Sequence, residues 1–139
     1  MRYKTILGFD FGFKRIGVAV GQAITGSASP LTILAANRGV PDWRNVQKLI
    51  EEWGAEALIV GLPLNMDGTE QPVTKQAREF GAGLQKHCHL PVFFVDERLT
   101  TVAAREAMHA QFKGAARFDR ADSMSAKLIV ESWFEMRNP

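Results

Sequence analysis

The chain has 139 residues, 46% hydrophobic and 23% charged, with 17 Lys and Arg against 15 Asp and Glu for a net charge of +2. This is the composition of a globular protein, long enough for a core without disulfides, so residues 1–139 are expected to form a single domain. One cysteine, Cys88, excludes an internal disulfide framework. No apolar run reaches the ~18–20 residues that span a bilayer, and Asp10 breaks the stretch where a signal peptide needs its apolar core. A cytoplasmic protein with no membrane partner is expected.

Thr5 to Phe11 and Arg15 to Gly21 are short apolar runs separated by Gly12, Phe13 and Lys14, the spacing of a tight hairpin. A third strand is predicted between Ala28 and Ala36, with Pro30 marking an edge or a strand start. Trp43, Val46, Leu49, Ile50 and Trp53 recur at helical spacing, with Pro41 suited to the first turn and Gly54 to the stop. Ala57 to Gly61 is a short apolar run of the kind found in buried parallel strands. A polar loop, Asn65 to Gln71, leads into a helix over Pro72 to Lys86, followed by a buried strand over Pro91 to Val95. Two more helices are predicted, over Thr101 to Phe112 and Asp119 to Met136.

Hairpin strands pair antiparallel, whereas strand–helix–strand crossovers require parallel pairing. The predicted fold is therefore α/β. It has a mixed five-stranded sheet, three antiparallel strands followed by parallel ones, flanked by helices in the ribonuclease-H-like manner.

Three acids stand out within this frame. Asp10 interrupts the apolar run Ile6-Leu7-Gly8-Phe9-Asp10-Phe11, and a carboxylate buried there needs a partner or a purpose. It could cap a turn or pair with Lys14 or Arg15. Glu97 follows Val92-Phe93-Phe94-Val95-Asp96, at the carboxyl end of a strand, where ligands of open α/β sheets gather. A solvated loop with a local ion pair among Asp96, Glu97 and Arg98 is the alternative. Asp122 stands three positions after Asp119 and could simply favour a helix start. Together, three carboxylates from distant segments can hold hard divalent cations, which prefer oxygen ligands. A pair of such ions ~3.5–4 Å apart can drive phosphodiester hydrolysis. His87, Cys88 and His89 offer a softer metal set, but neighbours on an extended segment point to opposite faces.

Phe9-Asp10-Phe11-Gly12 with Arg15-Ile16-Gly17-Val18-Ala19-Val20-Gly21, then Gly61-Leu62-Pro63-Leu64-Asn65-Met66-Asp67-Gly68-Thr69, then Asp96-Glu97-Arg98-Leu99-Thr100-Thr101, and finally Asp122-Ser123-Met124-Ser125-Ala126, resemble the YqgF/RuvX family in order and spacing along nearly the whole chain. The resemblance implies a ribonuclease-H-like, metal-dependent nuclease using one or more Mg²⁺ or Mn²⁺ ions, two by the fold's usual pattern. Members are described both as Holliday-junction resolvases and as nucleases maturing the 5′ end of pre-16S ribosomal RNA. The implied partners are thus pre-16S rRNA or branched DNA, with ribosomal particles in the first case, for a monomer or a homodimer.

The family's acidic positions map onto Asp10, Glu97 and Asp122 as metal-holding and catalytic residues. Many members carry lysines before the last aspartate, whereas this chain has Arg117-Phe118-Asp119-Arg120-Ala121, so Asp119 competes with Asp122 for the third place. Lys14, Arg15, Arg98, Arg117 and Arg120 are candidate phosphate contacts. Asp10-x-Gly12 followed by Gly17 also resembles the first phosphate loop of actin, the heat-shock ATPases and sugar kinases, which would make the chain a single-lobe nucleotide-binding protein. A non-catalytic nucleic-acid-binding module is the third reading.

Overall fold

The computed structural model describes the backbone of residues 3–99 and 114–137, with side chains over 3–98 and 123–137. The helix expected over 101–112 lies outside the described residues. β1 (Thr5–Asp10), β2 (Arg15–Gln22) and β3 (Ser27–Asn37) are successive antiparallel strands, as the opening hairpins predict. β4 (Val40–Pro41) adds two residues to the end of β3, so the sheet has six strands instead of the five expected. Two residues carry no periodicity, which is why sequence pattern passes over β4. The connecting turn places Arg38 at φ 53 and Gly39 at φ 80, the paired left-handed geometry of a tight hairpin.

Pro41 belongs to that strand and not to the first helical turn. Helix α1 (Trp43–Trp53) starts instead at Asp42, whose Oδ1 accepts from the Arg44 backbone N–H at 3.0 Å, and it stops at Gly54 with φ 62. β5 (Ala57–Leu62) is buried along its length. Helix α2 (Pro72–Cys88) ends at His89 with φ 55. β6 (Val92–Asp96) runs parallel to β5 and leads into a 3₁₀ turn over Glu97–Leu99. Helix α3 (Gly114–Arg137) is already formed five residues before the expected Asp119, so Asp119 and Asp122 lie within the helix and not at its start.

The strand order is β4-β3-β2-β1-β5-β6, with β1 in the middle, antiparallel to β2 and parallel to β5. Alternation along each strand divides the core into two layers. Leu7, Phe9, Val18, Leu58 and Val60 face α1 and α2, while Ile6, Ala19, Ala57, Ile59 and Val95 face Ala126, Ile129, Val130, Trp133 and Phe134 of α3. Helix α3 seats closely because glycines stand beneath it. A Cβ on Gly8 would lie 2.1 Å from Val130 Cγ2, and one on Gly21 would lie 2.5 Å from Val130 Cγ1. No helix among the described residues is long and apolar enough to cross a membrane.

Candidate active site

Asp10 closes β1. Ile6 and Gly8 of that strand face α3, so the period of two puts Asp10 on the same side, where it is half-buried. Parallel pairing of Phe9 with Val60 brings Gly61 of β5 alongside Asp10, and β5 pairs Gly61 with Val95 and Leu62 with Asp96. Glu97 is the next residue. Its side chain folds back over β5, so that a Cβ on Gly61 would stand 2.6 Å from Glu97 Oε1 and 3.0 Å from its Cγ. The same Cβ would stand 2.5 Å from Ile129 Cδ1, which fixes the carboxylate on the α3 side of the sheet. Asp10 and Glu97, 87 positions apart in sequence, therefore share one face at the carboxyl ends of β1 and β6, the two strands that flank β5.

Asp122, the candidate third acid, belongs to the helix on that face. At 3.6 residues per turn, position 122 falls on the stripe of α3 that carries Ala126, Ile129 and Trp133, all buried against the sheet. Position 119 is one turn further towards the N-terminus on nearly the same stripe. The side chains of Asp119, Asp122, Arg117 and Arg120 lie outside the described residues. A helix already formed at Gly114 removes the reading of Asp119 and Asp122 as helix caps.

The local ion pair expected as an alternative at 96–98 does exist, but it uses Asp96. Arg98 donates from Nη2 to Asp96 Oδ2 at 2.6 Å, and its backbone N–H reaches Asp96 Oδ1 at 2.9 Å. These hydrogen bonds from Arg98 hold the Asp96 carboxyl below its ordinary range. Asp96 has the parity of Leu62, on the α2 side, so the pair leaves Glu97 to the opposite face. Arg98 Nη1 also donates to the Met66 carbonyl at 3.2 Å, and Gly68, at φ 88, brings its backbone beneath the guanidinium. The candidate phosphate contact Arg98 is thus tied to the loop between β5 and α2.

That loop is held together by its own hydrogen bonds. Asp67 Oδ1 accepts from the Thr69 hydroxyl at 2.6 Å and from its N–H at 3.0 Å, which lowers the Asp67 pKa, and Asn65 Nδ2 donates to Thr69 Oγ1 at 2.9 Å. Buried Thr74 donates to the Pro63 carbonyl and accepts from the Gln71 N–H at 3.0 Å, fastening the loop to the first turn of α2. Lys14 and Arg15 are exposed at the β1–β2 turn, beside the Asp10 end of the sheet. The neighbouring turn joins them there, since the Gly39 N–H donates to the Phe13 carbonyl at 2.8 Å and brings exposed Arg38 to the same edge. Sequence pattern gives no notice of Arg38 or of the Arg98–Met66 tie, because both depend on loops meeting in space.

Asp10 and Glu97 supply carboxylate oxygens on a rigid frame, the donor type that Mg²⁺ and Mn²⁺ prefer, and the acid-bearing face fits such an ion. Among the described residues no three His, Cys, Asp or Glu side chains converge, and the Asp122 side chain stands outside that set. The segment His87-Cys88-His89 closes α2 and is not extended; His87 stacks on Trp43 at 4.4 Å and burial pushes the Cys88 thiol up, which leaves no shared metal position.

The family model described as "RuvX: Holliday junction resolvase" matches residues 4–136. A protein of Pectobacterium carotovorum named "Putative pre-16S rRNA nuclease" is 49% identical over 140 residues, covering 99% of this chain and all of the relative. One of the same name from Actinobacillus pleuropneumoniae serotype 7 is 53% identical over 133 residues, 95% of this chain and 97% of the relative. Among solved structures, Thermus thermophilus RuvC in complex with Holliday junction substrate superposes with a TM-score of 0.61 at 15% identity, over 96% of this chain and 95% of that one. The Fowlpox virus resolvase bound to junction DNA gives 0.55 at 15% identity, over 97% and 99%. The two resolvases share the ribonuclease-H-like fold described above. With the family's match running through both strand-end acids and into α3, the chain belongs to the RuvX family of Holliday junction resolvases.

Proposed function

We propose that residues 1–139 act as one divalent-metal-dependent nuclease domain, hydrolysing phosphodiester bonds in nucleic acid, with Asp10, Glu97 and Asp122 as the metal-holding catalytic acids. The observation that carries this reading is the placement of Asp10 and Glu97 on one face, beneath the helical stripe that contains position 122. Bound Mg²⁺ or Mn²⁺, in two sites by the general pattern of such hydrolases, supplies charge neutralisation and an activated water for cleavage. The residues of the chain do the rest. Asp10 offers its carboxylate from the end of β1, Glu97 from the end of β6 on the other side of β5, and α3 closes the face from above. The products carry 5′-phosphate and 3′-hydroxyl ends.

Lys14, Arg15, Arg117 and Arg120 neutralise substrate phosphates around the face, and Arg98 holds the β5–α2 loop beside them. The favoured substrate is the 5′ leader of pre-16S rRNA, on free RNA or ribosomal particles in the cytoplasm. The half-identical, full-length relatives carry that name, whereas the junction resolvases share only the fold. A monomer suffices for a cut in one strand. Junction resolution, the second reading, has the family description behind it and requires two paired sites in a dimer.

The experiment compares Mn²⁺-dependent cleavage of a pre-16S 5′-leader RNA with that of a four-way DNA junction, using Asp10→Asn as control. Cleavage of the RNA, lost in Asp10→Asn, is expected. Cleavage of the junction alone would transfer the assignment to resolution. Binding without cleavage of either substrate would make the chain a non-catalytic nucleic-acid-binding module.

A further inference from the structure

Between its two acids, the acid-bearing face has a position without a side chain. Asp10 ends β1, Glu97 follows β6, and β5 between them presents Gly61, which is buried. The preceding residues of β5 on that face, Ala57 and Ile59, fill it with side chains. Glycine in a strand interior has no side chain to pack and often marks a close approach by another group. Backbone conformation does not demand it here, because Gly61 lacks the left-handed geometry of Gly39, Gly54 and Gly68. Space does. The notches at Gly8 and Gly21 are filled by groups of the α3-side core, chiefly Val130, but the notch at Gly61 holds a carboxylate oxygen, Glu97 Oε1, alongside Ile129 Cδ1.

We propose that Gly61 is a positioning residue whose missing side chain is the seat of the Glu97 carboxylate, allowing an acid from the end of β6 to reach across β5 towards Asp10. The proposal rests on the metal-site reading above and adds a residue to it. A methyl group at 61 would leave Oε1 at 2.6 Å, and ordinary van der Waals contact begins at 3.4 Å, so the oxygen must retreat by about 0.8 Å. That exceeds the ~0.5 Å within which a metal-holding group must stay to work. Ile129 Cδ1 is the end of a flexible side chain and can be removed by substitution; the carboxylate has to move.

The test is a double-mutant cycle between Gly61→Ala and Glu97→Ala in an Ile129→Val background, which clears the α3 side of the notch so that the added methyl can be accommodated. Circular dichroism and thermal melting check the fold of each variant, and calorimetry measures Mn²⁺ affinity. Gly61→Ala should weaken Mn²⁺ binding by roughly 10–100-fold, as loss of a ligand's supporting shell does. With Glu97→Ala already present it should change affinity by less than about twofold, since the two substitutions remove one interaction. A crystal structure of Gly61→Ala/Ile129→Val should show the Glu97 carboxylate displaced. Undiminished affinity in a folded Gly61→Ala variant, or an equal loss without Glu97, would overturn the proposal alone. Failure of the unsubstituted protein to bind Mn²⁺ would overturn the metal site itself and this proposal with it.

Discussion

Val130 of α3 is fully buried and reaches into the sheet at two glycines, its Cγ2 over Gly8 and its Cγ1 over Gly21. Gly8→Ala would put a methyl 2.1 Å from Cγ2, more than 1 Å inside ordinary contact, with the Ala126 carbonyl oxygen a further 3.4 Å neighbour. Overpacking of this kind costs about 1–3 kcal/mol. The reduced freedom of the unfolded chain returns roughly 0.4–1 kcal/mol, so a net loss of about 1–2 kcal/mol is expected. Val130→Ala removes two buried methyl groups, worth about 0.8 kcal/mol each, and leaves a cavity, for a total of roughly 2 kcal/mol. Combined, the methyl added at residue 8 occupies part of the space vacated at residue 130. The double variant should therefore be less destabilised than the sum of the singles by at least ~1 kcal/mol. Urea denaturation, followed by circular dichroism and by tryptophan fluorescence, measures all four corners of the cycle. A neutral Gly8→Ala, or additive costs, would show that α3 does not sit in these notches and would remove the basis for placing position 122 over the site.

Thr74→Val leaves the Pro63 carbonyl and the Gln71 N–H without their hydroxyl partner, and should cost about 1–3 kcal/mol in a denaturant titration. Arg98 holds the Asp96 carboxyl below its ordinary pKa, so the ion pair's stabilisation is complete above the ordinary aspartate value and is lost as pH falls towards and through the lowered one. Melting temperatures between pH 2 and 6 should fall less steeply at the acid end for Asp96→Asn than for the unsubstituted chain; parallel curves would contradict the assignment. Cys88, raised by burial, should react with a neutral-pH thiol reagent more slowly than an exposed cysteine, and faster modification would contradict its environment.

Sequence pattern located the strands that carry the first two acids because it is a record of burial. Ile6 to Phe9 and Ala57 to Leu62 are apolar since both faces of the central sheet are covered. Asp10 was visible as an interruption of one such run, and Glu97 as a charge just beyond another. What brings them together, β1 beside β5 and β5 beside β6, is strand order, which no local pattern contains. Asp119-Arg120-Ala121-Asp122 imitates a cap, but both acids lie inside a helix that is already formed at Gly114 and runs through two alanines without amphipathic contrast. Pro41 looked like a first helical turn, and Asp42 beside it proved to be the cap. Gly61 stood in plain view as the end of an apolar run. Its close approach to Glu97 depends on a side chain 36 positions later in the chain.

Mn²⁺ calorimetry on single amide variants tests most directly whether Asp10, Glu97 and Asp122 form one metal site. Asp10→Asn, Glu97→Gln and Asp122→Asn should each fold normally and lose at least about tenfold in Mn²⁺ affinity, as removal of a ligand requires. Asp119→Asn should bind as the unsubstituted protein does. Full affinity in any of the first three, or a loss in Asp119→Asn equal to theirs, would contradict the assignment.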